Sequence, residues 1–154
     1  MKKIQLGGHR KDTKIRAYAL IDDEDCGLIN KFKWCYSSHG YAIRAQYISS
    51  NKYKRIYMHR EIMKPKNKKC IDHVNHNTLD NRKINLRVCS HSQNLMNRKN
   101  PQGIYWDKSV KTWKARIRKY GRDIYLGSSV NREMALDIRI KGEKRYFREF
   151  APQR

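Results

Sequence analysis

Ile71-Asp72-His73-Val74-Asn75-His76-Asn77-Thr78-Leu79-Asp80-Asn81-Arg82-Lys83-Ile84-Asn85-Leu86-Arg87-Val88-Cys89-Ser90-His91-Ser92-Gln93-Asn94 is the stretch from which the fold is read. A short apolar strand ends in the pair Asp72-His73. The run behind it, rich in Asn, His, Thr and Asp, lacks the period of a helix or strand, but such side chains bond to nearby backbone and fix loops. Leu86-Arg87-Val88-Cys89 reads as a second strand. Ser90 is a good N-cap, so a helix is expected from His91 to Arg98. A strand, loop, strand and helix in this order can bring Asp72, His73 and Asn94 to one point. Hydrolysis of a phosphodiester requires groups of this kind. An imidazole titrates near neutrality and can take a proton from water. A carboxylate and an amide oxygen suit a hard divalent cation that stabilises charge on the leaving oxygen.

The charge balance points the same way. The chain of 154 residues carries 36 Lys and Arg against 14 Asp and Glu, a net +22. Such a chain repels itself unless a polyanion is its ordinary partner, which makes nucleic acid the first candidate and an anionic membrane the second. The excess is not a tail. Residues 1–98 hold 21 basic and 8 acidic side chains, +13, and residues 99–154 hold 15 and 6, +9. No apolar run is long enough to cross a bilayer, and the first residues lack the apolar core of a secretion signal. A cytoplasmic protein with no membrane partner is expected. Cys26, Cys35, Cys70 and Cys89 form no Cys-x-x-Cys pair, so a zinc knuckle is disfavoured and reduced, mostly buried thiols are expected.

Working outward, Arg16–Ile21 alternates enough for a strand. Asp22 reads as the N-cap of a helix reaching Phe32, with Asp23, Glu24 and Asp25 in the first turn, where the helix dipole favours acids. Trp34–Tyr36 and Tyr41–Ile48 form a hairpin around Ser37-Ser38-His39-Gly40. Lys54–Met58 is extended, and Met58–Met63 makes a short helical turn before Pro65. Beyond a linker at 99–102, residues 103–127 read as three short strands, with turns near Lys108–Val110 and Tyr120-Gly121. A helix over 131–141 presents Ala135 and Ile138 inward. The fold class expected is α+β.

The Asp72-His73 pair, the later Leu79-Asp80-Asn81-Arg82 and Asn85-Leu86-Arg87, and the closing Gln93-Asn94 resemble the HNH endonucleases, whose core is a ββα-metal finger. The likeness is to the phage and intron-encoded homing branch. It extends to a β-rich leader through Ala19–Asp25, Lys33-Trp34, Gly40-Tyr41-Ala42 and Tyr57–Met63. The resemblance implies an HNH region over 1–98 with its finger at 70–98, in a phage-encoded protein of a bacterial host cell. His73 is then the general base, Asp72 and Asn94 hold one Mg2+ or Mn2+, and Asn85 pins the loop that orients His73. Arg87 is a candidate for binding a phosphate. His91, three residues before Asn94, is the alternative ligand. His76 stands where the family favours Gly, a position that a positive φ would strain. His59 reads as structural or phosphate-contacting.

In Thr112–Lys119 the alternation sets Trp113, Ala115 and Ile117 on one side and Lys114, Arg116 and Arg118 on the other. A strand with an apolar back and a cationic front can lie on DNA while a helix covers its back. Gly103–Trp106, Trp113–Arg118, Tyr125–Gly127, Glu133–Asp137 and Phe150-Ala151 resemble the APETALA or ethylene-response-factor type of DNA-binding domain. That likeness implies a three-stranded antiparallel sheet packed on one helix over 103–154. Tyr105, Lys114, Arg116, Arg118, Tyr125 and Ser128 would face double-stranded DNA. One active site nicks one strand, so double-strand cleavage would need a homodimer or sequential nicks. The competing readings are a DNA-binding regulator with a degenerate HNH module and a basic RNA-binding protein.

Overall fold

The computed structural model describes residues 1–8, 14–50, 52–67, 69–98 and 103–153. The expected linker at 99–102 lies outside them. The chain is α+β, with several small antiparallel sheets and few helices, and divides into two compact units, Met1–Cys89 and Ser90–Arg154. The first ends before the expected boundary at residue 98, so the helix carrying Asn94 belongs to the second. No helix among the described residues is long and apolar enough to cross a membrane.

In the first unit, β1 (Lys2–Leu6) pairs antiparallel with β2 (Ala17–Ile21). The acidic segment behind β2 is not the continuous helix expected. A 3-10 turn at Asp23–Asp25 leads into α1 (Cys26–Ile29), which stops short of Phe32. The Asp22 side chain makes no cap. Its Oδ2 instead accepts a hydrogen bond from the Lys83 backbone N–H at 2.7 Å, far along the chain. β3 (Cys35–Tyr36), β4 (Ala42–Ser49) and β5 (Lys52–Tyr57) form a meander, and α2 (Met58–Met63) follows directly. β6 (Cys70–His73) pairs antiparallel with β7 (Leu86–Cys89), setting His73 opposite Leu86 and Asp72 opposite Arg87. Leu6, Ala19, Ile21, Ile29, Trp34, Met58, Ile71 and Leu86 share one apolar core. The Trp34 indole N–H donates to the Ile29 carbonyl at 2.9 Å, so this large ring is buried with its polar atom satisfied. The thiols are free, but only Cys89 is buried and the other three are half-buried.

In the second unit, α3 (His91–Met96) starts at a capping box. The Ser90 hydroxyl accepts from the Gln93 N–H, and the Gln93 side chain accepts from the Ser90 N–H. β8 (Ile104–Asp107), β9 (Thr112–Lys119) and β10 (Arg122–Ser129) form the three-stranded antiparallel sheet, with β9 central. α4 (Arg132–Phe147), capped by Asn131, covers one face of it. This helix runs well past the expected residue 141. Its buried stripe is Ala135, Arg139, Gly142, Glu143 and Phe147, and the apolar period is hidden because Arg139 and Glu143 are charged. They neutralise each other across one turn at 3.2 Å. Met96 of α3 joins Ile117 and Phe147 in the core.

Gly103 fixes the entry to β8. Its φ is +112°, and a Cβ there would stand 2.4 Å from the Arg116 carbonyl oxygen, while its own carbonyl accepts the Arg116 N–H at 2.8 Å. Gly103→Ala is therefore expected to destabilise the second unit by about 2 kcal/mol or more, since strain and backbone clash add. Urea unfolding followed by Trp fluorescence checks this. An unchanged midpoint would mean the strand entry relaxes freely.

Candidate functional site

His73 ends β6, and the loop from Val74 to Asn85 that leads to β7 is held by its own side chains. The Asn75 Oδ1 accepts from the Asn77 N–H at 2.8 Å, and the Asn77 Oδ1 accepts from the Leu79 N–H at 3.1 Å. These are local turns of the kind Asn favours. His76 takes a φ of +62°, the left-handed conformation expected at a position where Gly is favoured. Asp80 is buried, and Arg82 grips it with two parallel bonds of 2.7 and 2.6 Å. That fork holds the Asp80 carboxyl below the usual carboxylate range.

Asn85 ties the two ends together. It is buried. Its Nδ2 donates to the Asp80 carbonyl at 2.8 Å, and its Oδ1 accepts from the Asn75 N–H at 2.9 Å. The leader clamps the same loop from outside. Leu20 of β2 donates to the Leu79 carbonyl and accepts from the Asn81 N–H, both at 2.8 Å. The Thr78 hydroxyl donates to the Gly40 carbonyl at 2.7 Å. The Lys83 ammonium meets Glu24 at 2.5 Å and Asp25 at 3.2 Å.

On this scaffold His73 is 6% exposed. Burial pushes its imidazole below the ordinary value, partly offset by a hydrogen bond with Asn81 and by the carboxylates of Asp72 and Asp80. The neutral ring, the form that can accept a proton, is thus favoured. His59 of α2 stands against it, with ring centroids 5.1 Å apart at 87°. Tyr41 lies 6.1 Å from His73 and 5.6 Å from His59, and Tyr57 lies 5.4 Å from His59. Burial, then the neighbouring His73 and Arg60, push His59 down to about 3. The sequence missed this aromatic wall. Its only signal was that Gly40-Tyr41-Ala42 and Tyr57-Met58-His59 both carry rings within the leader.

Asp72 is also buried, and the Arg87 guanidinium donates to its Oδ2 from Nε at 2.8 Å and from Nη2 at 2.6 Å. Arg87 is therefore engaged with the candidate ligand. Asn94 is half-buried and His91 exposed on α3 of the second unit. Among the described residues no three His, Cys, Asp or Glu side chains gather as a metal site. The expected donor set is of another kind, one carboxylate and one amide oxygen. Of these, the Asp72 carboxylate suits a hard cation that keeps several waters, which would share with Arg87 the balancing of its charge.

The open face of the second unit's sheet holds all six residues assigned to DNA. Tyr105 and Ser128 are the register partners of Lys114, and Tyr125 is that of Arg116. Arg116, Arg118, Tyr125 and Ser128 are exposed, while Ala115 and Ile117 between the arginines are buried. The sequence missed two carboxylates on this face. Asp107 pairs with Lys114 at 2.5 Å, and Asp123 with Arg116 at 3.3 Å and Arg118 at 3.9 Å. The Lys114 ammonium holds the Asp107 carboxyl far below its ordinary value. The front is thus a set of partly balanced pairs, not a bare cationic stripe. No protein-family model, curated protein or solved structure matches the chain.

Two outcomes are expected. Asn85→Ala strands the buried Asp80 carbonyl, at about 1–3 kcal/mol, and loses the part-buried bond from the Asn75 N–H, at about 1 kcal/mol, so urea unfolding should show a loss of about 2–4 kcal/mol. For His59, between pH 3 and 6.5 the unfolded chain binds a proton that the native chain refuses. Stability therefore rises with pH through that window and falls on acidification, by about 2 kcal/mol between pH 7 and pH 5 for one such group. His59→Phe, which keeps the ring packing, should flatten that fall. A fall as steep as in the wild type would assign it elsewhere.

Proposed function

We propose that the chain is a metal-dependent DNA endonuclease of the HNH kind, hydrolysing one phosphodiester per active site. The observation that carries this reading is the buried Asp72-His73 pair at the end of β6, held by a loop that Asn85 closes. Such an investment of buried polar groups in one loop is costly unless the groups are used.

His73 would take the proton of the attacking water. Its depressed basicity keeps it unprotonated in neutral solution. His59 and Tyr41 stand against the ring, and Tyr57 backs His59. Asp72 would hold the divalent cation, Mg2+ or Mn2+. That cation would stabilise charge on the phosphate and the leaving oxygen. Arg87 keeps the Asp72 carboxylate in place. The basic, aromatic face of β8–β10 would bind duplex DNA, with Asp107 and Asp123 holding its cations in fixed directions.

The test is cleavage of supercoiled plasmid with Mg2+ by the full chain. Truncation at residue 99 is unsuitable, since Met96 packs in the core of the second unit. The wild type should nick, EDTA should abolish nicking, and His73→Ala should lose about 100-fold or more, the usual weight of a general base. The acid limb of the wild-type rate should fall below pH 6.5, because His73 is harder to protonate than a free histidine. Duplex binding without metal-dependent nicking in any of several DNAs would instead favour a non-catalytic DNA-binding regulator.

A further inference from the structure

The hairpin of β4 and β5 extends beyond the core of the first unit as a two-stranded ribbon. From Ala45 to Ser49 and from Lys52 to Arg55 every described residue is exposed, on both faces. Tyr47 and Tyr53, 62% and 65% exposed, stand directly opposite each other with rings 5.5 Å apart. Ile48, 60% exposed, lies at the break in register beside them. Large apolar groups concentrated at the tip of a ribbon, with no core to serve, mark a binding surface.

The chemistry of that surface selects its partner. Between Tyr41 and Arg60 the sequence contains no carboxylate, while Arg44, Lys52, Lys54 and Arg55 supply cations. Arg44 is committed to Glu61 at 2.7 Å. Lys52, Lys54 and Arg55 are exposed at the outer end. The pairing puts Tyr47, Tyr53 and Arg55 on the same face as Tyr57, with Lys54 and Gln46 on the reverse. Tyr57 touches His59, which touches His73. This face therefore begins at the candidate base and runs outward from it. At about 3.3 Å per residue, Tyr53 lies about 13 Å beyond Tyr57, the length of about four base pairs.

We propose that the β4–β5 ribbon enters the major groove of duplex DNA beside the phosphate that His73 addresses. A two-stranded ribbon has the width that this groove admits. Tyr47, Tyr53 and Arg55 meet base edges, and Lys52 and Lys54 reach the flanking phosphates, about four base pairs from the cut. That offset rests on the nuclease reading; the binding role of the ribbon does not.

The experiment measures binding of the full chain to a short duplex and to its single strand by fluorescence anisotropy across salt concentrations. Lys52→Ala/Lys54→Ala/Arg55→Ala should flatten the log–log salt slope on duplex by about 2, at about 0.9 for each of the two phosphates no longer neutralised. Lys2→Ala/Lys3→Ala/Lys31→Ala removes the same charge from other exposed positions and should flatten it by less. An equal change in this control, or no change in the ribbon variant, overturns the proposal. Tyr47→Ala/Tyr53→Ala should weaken duplex binding and spare the single strand; the reverse pattern would mean stacking on unpaired bases and overturns the duplex assignment. Dimethyl sulfate, which reads guanine N7 in the major groove, should find guanines that the wild type protects and the ribbon variants do not. Identical protection overturns the major-groove assignment. None of these readings depends on cleavage, so a failed nicking assay leaves the ribbon test intact.

Discussion

The side-chain amide of Asn85 braces from within the loop that leaves β6 after His73 and rejoins β7 at Leu86. It spans from the Asn75 N–H to the Asp80 carbonyl, and the other constraints build on that bridge. Asp80, so placed, meets the Arg82 fork. Leu79 and Asn81, so placed, take the two backbone bonds from Leu20. Polar networks of this kind are worth more together than singly, and a broken member leaves its neighbours buried and unpaired. The leader, which contributes most of the apolar core of the first unit, thereby also fixes the direction in which Asp72 and His73 are offered.

The second unit solves a different problem. A chain of net +22 must present cations without scattering them. Here strand register aligns Tyr105, Lys114, Arg116, Tyr125 and Ser128 on one face, and two aspartates hold three of the basic side chains in set directions. Exposed ion pairs add little stability, so their value lies in order. A side chain already oriented loses less freedom when it meets a phosphate or a base. Beneath, the buried Arg139–Glu143 pair lets α4 carry charge through a core face without leaving either group unbalanced.

Local chemistry was legible in the sequence wherever one residue decides a conformation. Ser90 announced the start of α3 and the strict alternation around β9 announced its two faces, while the loop tie at Asn85 was expected from the resemblance. Features that needed a distant partner were less accessible. Asp22 read as a helix cap but serves Lys83, sixty-one positions on. α4 read as shorter because its buried stripe includes an ion pair. The wall of Tyr41, Tyr57 and His59 around His73 joins three separate segments that no spacing relates. Asp107 and Asp123 were passed over because acids do not stand out on a strand read for its cations.

A tied loop that keeps a buried imidazole neutral and aimed is the feature on which the proposed chemistry turns. Its most direct test is a histidine side-chain NMR titration of the full chain, comparing wild type with Asn85→Ala. His73 should titrate below 6.5 in the wild type, because burial resists its protonation. It should move up toward 6.5 when the bridge is removed and water reaches the ring. A wild-type midpoint at or above 6.5, or one that Asn85→Ala leaves unmoved, would contradict this role for the loop.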